Sequence, residues 1–93
     1  MKEMKVSEEA VNQTLLIAAI RKGKLELVKL LLEAGADPNW QVPDTGNTSL
    51  HDALKQLKLK PSKVIVEIIR LLLMKGGDSN IKNNQLKTVY DYA

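Results

Sequence analysis

The chain has 93 residues, of which 27% are charged, and 14 Lys and Arg against 11 Asp and Glu give a formal net charge of +3. A chain of this length buries roughly 60–70% of its unfolded surface in one modest core and leaves no room for a separate catalytic domain. With no Cys, disulfides, thiolate nucleophiles and sulfur-ligated zinc are excluded, and a reducing, cytoplasmic compartment is the expectation.

Met1 to Ala10 is mixed in charge and lacks the apolar centre of a signal peptide, and no apolar run reaches the roughly 18 residues of a spanning helix. Ser7-Glu8-Glu9-Ala10-Val11 either starts an extra turn or lengthens the first helix; both readings stay open. Thr14, Thr48 and Thr88 each precede an apolar helical stretch, where a hydroxyl caps a free backbone N–H, so each is read as a helix start. Three residues on stand Ile17, His51 and Asp91, and the last makes an arrangement close to a capping box at the positive helix end.

Leu25, Leu27, Val28, Leu30, Leu31 and Leu32 form an apolar stripe that predicts a helix from about Lys24 to Ala34, ended by a left-handed Gly35. Pro61 forces Lys60 out of helical geometry, and Ser62 then caps a longer helix to Lys75. Val64, Ile65, Val66, Ile68, Ile69, Leu71, Leu72, Leu73 and Met74 make that helix apolar nearly all round, as for a helix with neighbours on more than one side. Pro43, Asp44, Gly46 and Asn47 are turn formers, with Gly46 suited to a positive φ. Leu86 holds the matching position later in the chain, so that turn is altered or strained.

The chain also repeats itself. Glu26-Leu27-Val28-Lys29-Leu30-Leu31-Leu32 followed by Gly35-Ala36-Asp37-Pro38-Asn39 recurs as Glu67-Ile68-Ile69-Arg70-Leu71-Leu72-Leu73 followed by Gly76-Gly77-Asp78-Ser79-Asn80. Thr48-Ser49-Leu50-His51-Asp52-Ala53 recurs as Thr88-Val89-Tyr90-Asp91-Tyr92-Ala93 and, more weakly, as Thr14-Leu15-Leu16-Ile17-Ala18-Ala19. These two elements, in this order, resemble the ankyrin repeat over nearly all of Asn12 to Ala93. Against the family period of about 33 residues, one extra residue falls among Trp40 to Asp44, and seven fall between Leu54 and Val66, between the helices of the second repeat. Such insertions form loops or lengthen helix ends.

The resemblance implies an all-α solenoid of helix-turn-helix units joined by hairpin-like loops. It implies one domain over 1–93, with repeats at about 12–43 and 44–82 and a partial third at 83–93. Thr14, Gly35, Thr48, His51, Gly76, Thr88 and Asp91 occupy the structural motif positions, with His51 holding hairpin and helix start together by hydrogen bonds. It further implies a protein-recognition module that meets its partner on a concave face of hairpin tips and first helices. Carried onto this chain, that face holds Arg21, Lys22, Trp40, Gln41, Asp44, Thr45 and Asn47, then Asp52, Lys55 and Gln56, then Lys82, Asn84, Gln85 and Lys87. Trp40 leads, as a lone Trp in a loop, because Trp is enriched among residues that dominate interface energy.

Other chemistry has little support. Ser49, His51 and Asp52 are neighbours on one helix start and cannot converge as a triad, a single His with scattered carboxylates has no metal spacing, and no glycine-rich phosphate loop is present. No enzyme activity and no cofactor are expected. Lys55, Lys58, Lys60 and Lys63 surround the insertion and form either a solvated surface or an anion-binding patch, for which an acidic protein fits better than nucleic acid. The third repeat stops inside its first helix, which leaves the far side of Val64 to Met74 uncovered. The expectation is a piece of a longer array, a regulatory or targeting segment of a larger enzyme or effector, or self-association through that end.

Overall fold

The structure is a computed structural model that describes the backbone of residues 8–92 and the side chains of 11–92. The helix starts and stops are set locally. α1 runs Glu8–Arg21, α2 Leu25–Glu33, α3 Ser49–Leu59, α4 Lys63–Met74 and α5 Val89–Tyr92, with no strand among the described residues. Ser62 Oγ accepts the Ile65 amide at 3.2 Å and so begins α4, while Lys24 and Ala34 flank α2 as expected. Gly35 and Gly76, both at positive φ, end α2 and α4.

Thr14 does not occupy the helix start expected of it. It lies inside α1 and does not begin it, because Glu8 to Gln13 are already helical. Asn12 and Gln13 before Thr14 are helical, whereas Thr48 and Thr88 follow Gly46 and Leu86, both at positive φ. Glu8 to Val11 therefore lengthen the first helix; Ser7 and Ala93 lie outside the described residues.

The helices stack in two layers, since α3 packs on α1 and α5 on α3, while α4 packs on α2. Leu16, Ala19 and Ile20 of α1 and Val28, Leu31 and Leu32 of α2 meet Leu50 and Ala53 of α3 and Ile65, Ile68 and Leu72 of α4 in one buried cluster. Each fully buried aliphatic side chain there contributes about 1.5–3 kcal/mol. This cluster fixes the inner helices and hence the loops between them.

The seven-residue insertion is wholly helical. α1 ends seven residues past Thr14, whereas α3 ends eleven past Thr48; α2 begins one residue before Glu26, whereas α4 begins four before Glu67. Four extra residues on α3 and three on α4 account for the excess, and the connections 22–24 and 60–62 keep the same length. At 1.5 Å per residue the second helix pair stands out by about 5 Å. Ala53 to Lys60 lacks any helix breaker before Pro61, which is why the extra residues propagate α3.

The outer helix α4 is covered on fewer sides than its composition suggests. Ile65, Ile68 and Leu72 are buried, but Val64, Val66, Leu73 and Met74 are exposed, the last at 74%. Leu50, Leu54, Ile69, Leu73, Val89 and Tyr90 line a shallow apolar hollow of about 210 Å³ at this end of the stack. Their counterparts Leu16, Ile20, Val28 and Leu32 are all buried in the first helix pair by the second.

The opposite end is organised by Gln13. Its Oε1 accepts the Asp37 amide at 2.8 Å, the role that Asn39 Oδ1 plays for the Asp78 amide at 2.6 Å. Asn39 completes its link between the helix pairs by donating from Nδ2 to the Gly76 carbonyl at 2.9 Å. The helical extension of α1 thus supplies a contact that a preceding loop supplies to the second pair.

Candidate functional site

Two finger-like loops, Val42–Asn47 and Asn83–Lys87, project before α3 and α5. Each is closed across its base, by Val42 N–H to Asn47 O and by Asn83 N–H to Lys87 O, both at 2.9 Å. Inside the first, Gly46 N–H reaches Val42 O; inside the second, Leu86 N–H reaches Asn83 O. The first finger is therefore one residue longer, which puts the extra residue among Pro43 to Thr45.

Gly46 and Leu86 hold the same place in the two fingers, at φ 73° and 60°. The turn is conserved in shape and strained in the second finger, since a left-handed Leu costs roughly 1–2 kcal/mol. Gly46 is also a point of close approach between the fingers. A Cβ there would lie 2.7 Å from the Asn84 backbone nitrogen and overlap the Asn84 side chain.

Amides tie the fingers together. Asn84 N–H donates to Thr45 O at 2.9 Å, Asn83 Nδ2 to Asn47 Oδ1 at 2.8 Å, and Gln41 Nε2 to both Gly46 O and Lys82 O. His51 anchors them to the helices. Its Nδ1 accepts the Thr48 amide at 3.1 Å, so Nε2 carries the proton and donates to Lys87 O at 2.9 Å. Both ring nitrogens are thereby engaged, which removes His51 as a general base. The Tyr92 ring meets His51 edge-on at 6.1 Å, and its hydroxyl accepts from Asn83 Nδ2.

Between the fingers and α3 lies a groove of about 530 Å³. Asp44, Thr45 and Asn47 of the first finger and Asn84 and Gln85 of the second form one wall, and Lys55 of α3 stands on the other. These six are residues that the resemblance placed on the partner face. Lys58, Leu59, Asn83, Tyr92 and the edge of His51 complete the lining. Lys58 and Leu59 belong to the helical extension, and the unbroken run before Pro61 is the sequence signal that points to them.

The remaining candidates lie elsewhere. Trp40 is partly buried and does not line the groove; its backbone N–H donates to Asp37 O. Gln41 is committed to the hydrogen bonds between fingers, while Arg21, Lys22, Gln56, Lys82 and Lys87 lie outside the groove lining.

Asp52 differs most from its expected place on the open face. It is only 3% exposed, packed beneath Arg21 with Oδ1 3.6 Å from the guanidinium, and its Oδ2 is buried with no hydrogen-bond partner. Burial pushes its carboxyl above the usual range; Arg21, then Lys55 and His51, pull the other way without cancelling it. The packing of α3 on α1 explains this, since Asp52 is the counterpart of Ala18 on the helix face that meets α1.

Asp91 completes the helix start of α5. Its Oδ2 accepts the Thr88 amide at 2.8 Å and the Thr88 hydroxyl at 3.3 Å, which holds its carboxyl below the usual range. Among the described residues no cluster of three or more His, Cys, Asp or Glu has the makings of a metal site, and no helix is long and apolar enough to cross a membrane.

Comparisons with known proteins agree with this architecture. The sequence pattern described as ankyrin repeats (3 copies) matches residues 1–84. BRCA1-associated RING domain protein 1 of Caenorhabditis elegans is 35% identical over 95% of this chain, which spans 12% of that protein. Among solved structures, the ankyrin repeat protein EF0377 superposes with a TM-score of 0.73 at 37% identity, over 84% of this chain and 38% of its own. The ankyrin repeat domain of Bcl-3, of the IkappaB protein family, gives 0.70 at 32% identity, over 84% of this chain and 31% of its own. Stacked helix pairs, paired fingers and a His51-anchored loop thus lead to one assignment: the chain belongs to the ankyrin repeat family.

Proposed function

We propose that the chain binds a partner protein through the groove between its fingers and α3, on the concave side of the stack. One observation carries this reading. Six of the residues proposed from sequence are among those that line the groove, beside His51, Tyr92 and the amides that hydrogen-bond the fingers together. A pre-organised wall of this kind lowers the ordering cost of binding. The reading includes one domain over 1–93, repeats at about 12–43, 44–82 and 83–93, no catalysis by this segment, and a cytoplasmic setting.

The test is capture of a partner by the wild-type chain beside two triple variants of equal helicity. Asp44→Ala/Thr45→Ala/Gln85→Ala alters the finger wall, and Lys29→Ala/Glu33→Ala/Arg70→Ala alters the outer helices. Loss with the first set and retention with the second supports the groove; the reverse pattern removes it.

A second reading rests on the short span of the relatives that this chain covers, 12% of the worm protein. Within a longer protein the stack positions a regulatory or catalytic neighbour, and the apolar end around Leu73 is then the contact surface, either within that protein or between copies. Sedimentation equilibrium of wild type and Leu73→Glu separates self-association from that arrangement.

A further inference from the structure

We infer that the groove takes an extended acidic peptide segment, whose carboxylates pair with Lys55 and Lys58. This rests on the groove being the partner surface and names the chemistry of the occupant. From Ala53 to Val66 the chain carries Lys55, Lys58, Lys60 and Lys63 and no Asp or Glu. None of the four enters an ion pair among the described residues, where the ion pairs are Arg21–Asp52, Lys29–Glu26 and Arg70–Glu67. An unpaired run of one sign sets a field over a recess that focuses it.

The helical insertion places this charge at the groove. Lys55 and Lys58 are three residues apart on α3, so they share a helix side, and both line the recess. In α1 the counterpart of Lys58 lies beyond the helix end, so the first helix pair offers no such wall. Arg21, the counterpart of Lys55, is already turned to Asp52.

The polar atoms of the groove are biased the same way. Its acceptors are largely committed: Asn47 Oδ1 takes Asn83 Nδ2, Gln85 Oε1 takes the Tyr92 hydroxyl, and the Tyr92 carbonyl takes Lys58 Nζ. Lys55 Nζ, Gln85 Nε2 and Asn47 Nδ2 make no hydrogen bond among the described residues and remain as donors. Among the described residues Asp44 is the one acid in the lining. A ligand rich in acceptors and negative charge satisfies such a surface.

A protein segment fits better than a nucleic acid. Among the described residues Tyr92 is the sole groove residue that offers an aromatic ring for stacking besides the committed His51, and no Arg lines the recess. Leu59, 71% exposed at the rim, suits an aliphatic side chain. In an extended chain alternate side chains stand about 7 Å apart, and lysines three apart on a helix have Cβ atoms about 5–6 Å apart, so an acid-x-acid pattern engages both ammonium groups.

The experiment is fluorescence anisotropy with a labelled peptide of about ten residues alternating Asp or Glu with Leu, beside its Asn and Gln twin. The acidic peptide is expected to bind about ten-fold more tightly than the twin, and Lys55→Gln/Lys58→Gln to weaken it about five- to ten-fold. Lys24→Gln/Lys75→Gln removes the same charge away from the groove and is expected to stay within about two-fold of wild type; circular dichroism checks that both variants fold. Equal binding of the twin, an equal loss in the control pair, or displacement of the peptide by single-stranded RNA or phosphatidylserine vesicles at matched charge overturns the inference. If the acidic peptide fails to bind while the finger-wall variant still abolishes partner capture, the peptide chemistry falls and the partner surface stands.

Discussion

His51 Nε2 lies 2.9 Å from the carbonyl oxygen of Lys87, thirty-six residues along the chain, and so fastens the start of α3 to the base of the second finger. Because Nδ1 accepts the Thr48 amide, one ring satisfies a buried backbone N–H and a partly buried carbonyl in neighbouring repeats. Each such hydrogen bond contributes about 1 kcal/mol, and leaving the groups unpaired costs more. His51→Ala is expected to lower unfolding stability by about 2–4 kcal/mol in chemical denaturation, and nitrogen NMR of wild type to show the Nε2–H tautomer. A change under about 0.5 kcal/mol contradicts the bridging role.

Gly46 and Leu86 predict opposite outcomes at equivalent places. Gly46→Ala sets a Cβ against the Asn84 backbone at a φ of 73°, and is expected to cost about 2–3 kcal/mol and loosen the fingers. Leu86→Gly relieves a left-handed Leu whose side chain is exposed, and is expected to gain about 0.5–1 kcal/mol after the entropic cost of glycine. Thermal unfolding of the two variants side by side checks the pair.

Asp52 and Asp91 titrate with opposite consequences. The Asp52 carboxyl is raised by burial, so its ionisation is harder in the folded chain; stability is expected to fall as pH rises from about 4, near the unfolded value, through the raised folded value. Asp91 is lowered by the Thr88 amide, so the stability it adds is present above about 4 and is lost as pH falls through its lowered folded value. Denaturation of Asp52→Asn and Asp91→Asn across pH 2–7 separates them. The Asp52 variant is expected to flatten the profile above about pH 4, and the Asp91 variant below it.

Much of the fold was legible because local chemistry agrees with it. Ser62, Pro61 and Gly35 mark helix ends that the structure keeps, and the repeated Gly-x-Asp-x-Asn segments fold alike, with Asn39 and Asn80 amides each on the Asp two residues before, at 2.8 Å. What local rules missed was tertiary or depended on the neighbouring segment. Thr14 resembles Thr48 in sequence, but helical residues precede it, so its hydroxyl does not open a helix. Asp52 reads as a surface acid until α3 packs on α1 and covers it. Trp40, which leads by residue type, does not line the groove, whose α3 side is set by helix length. Lys58 and Leu59 entered that wall only because the insertion extended α3, and a spacing excess alone leaves loop and helix equally open.

The most direct test is amide hydrogen exchange of the chain, alone and with its captured partner. Binding in the groove is expected to slow exchange at Asp44–Asn47, Asn83–Lys87 and the α3 residues around Lys55, with α2 unchanged. Protection confined to the outer helices α2 and α4, with both fingers exchanging as in the free chain, contradicts it.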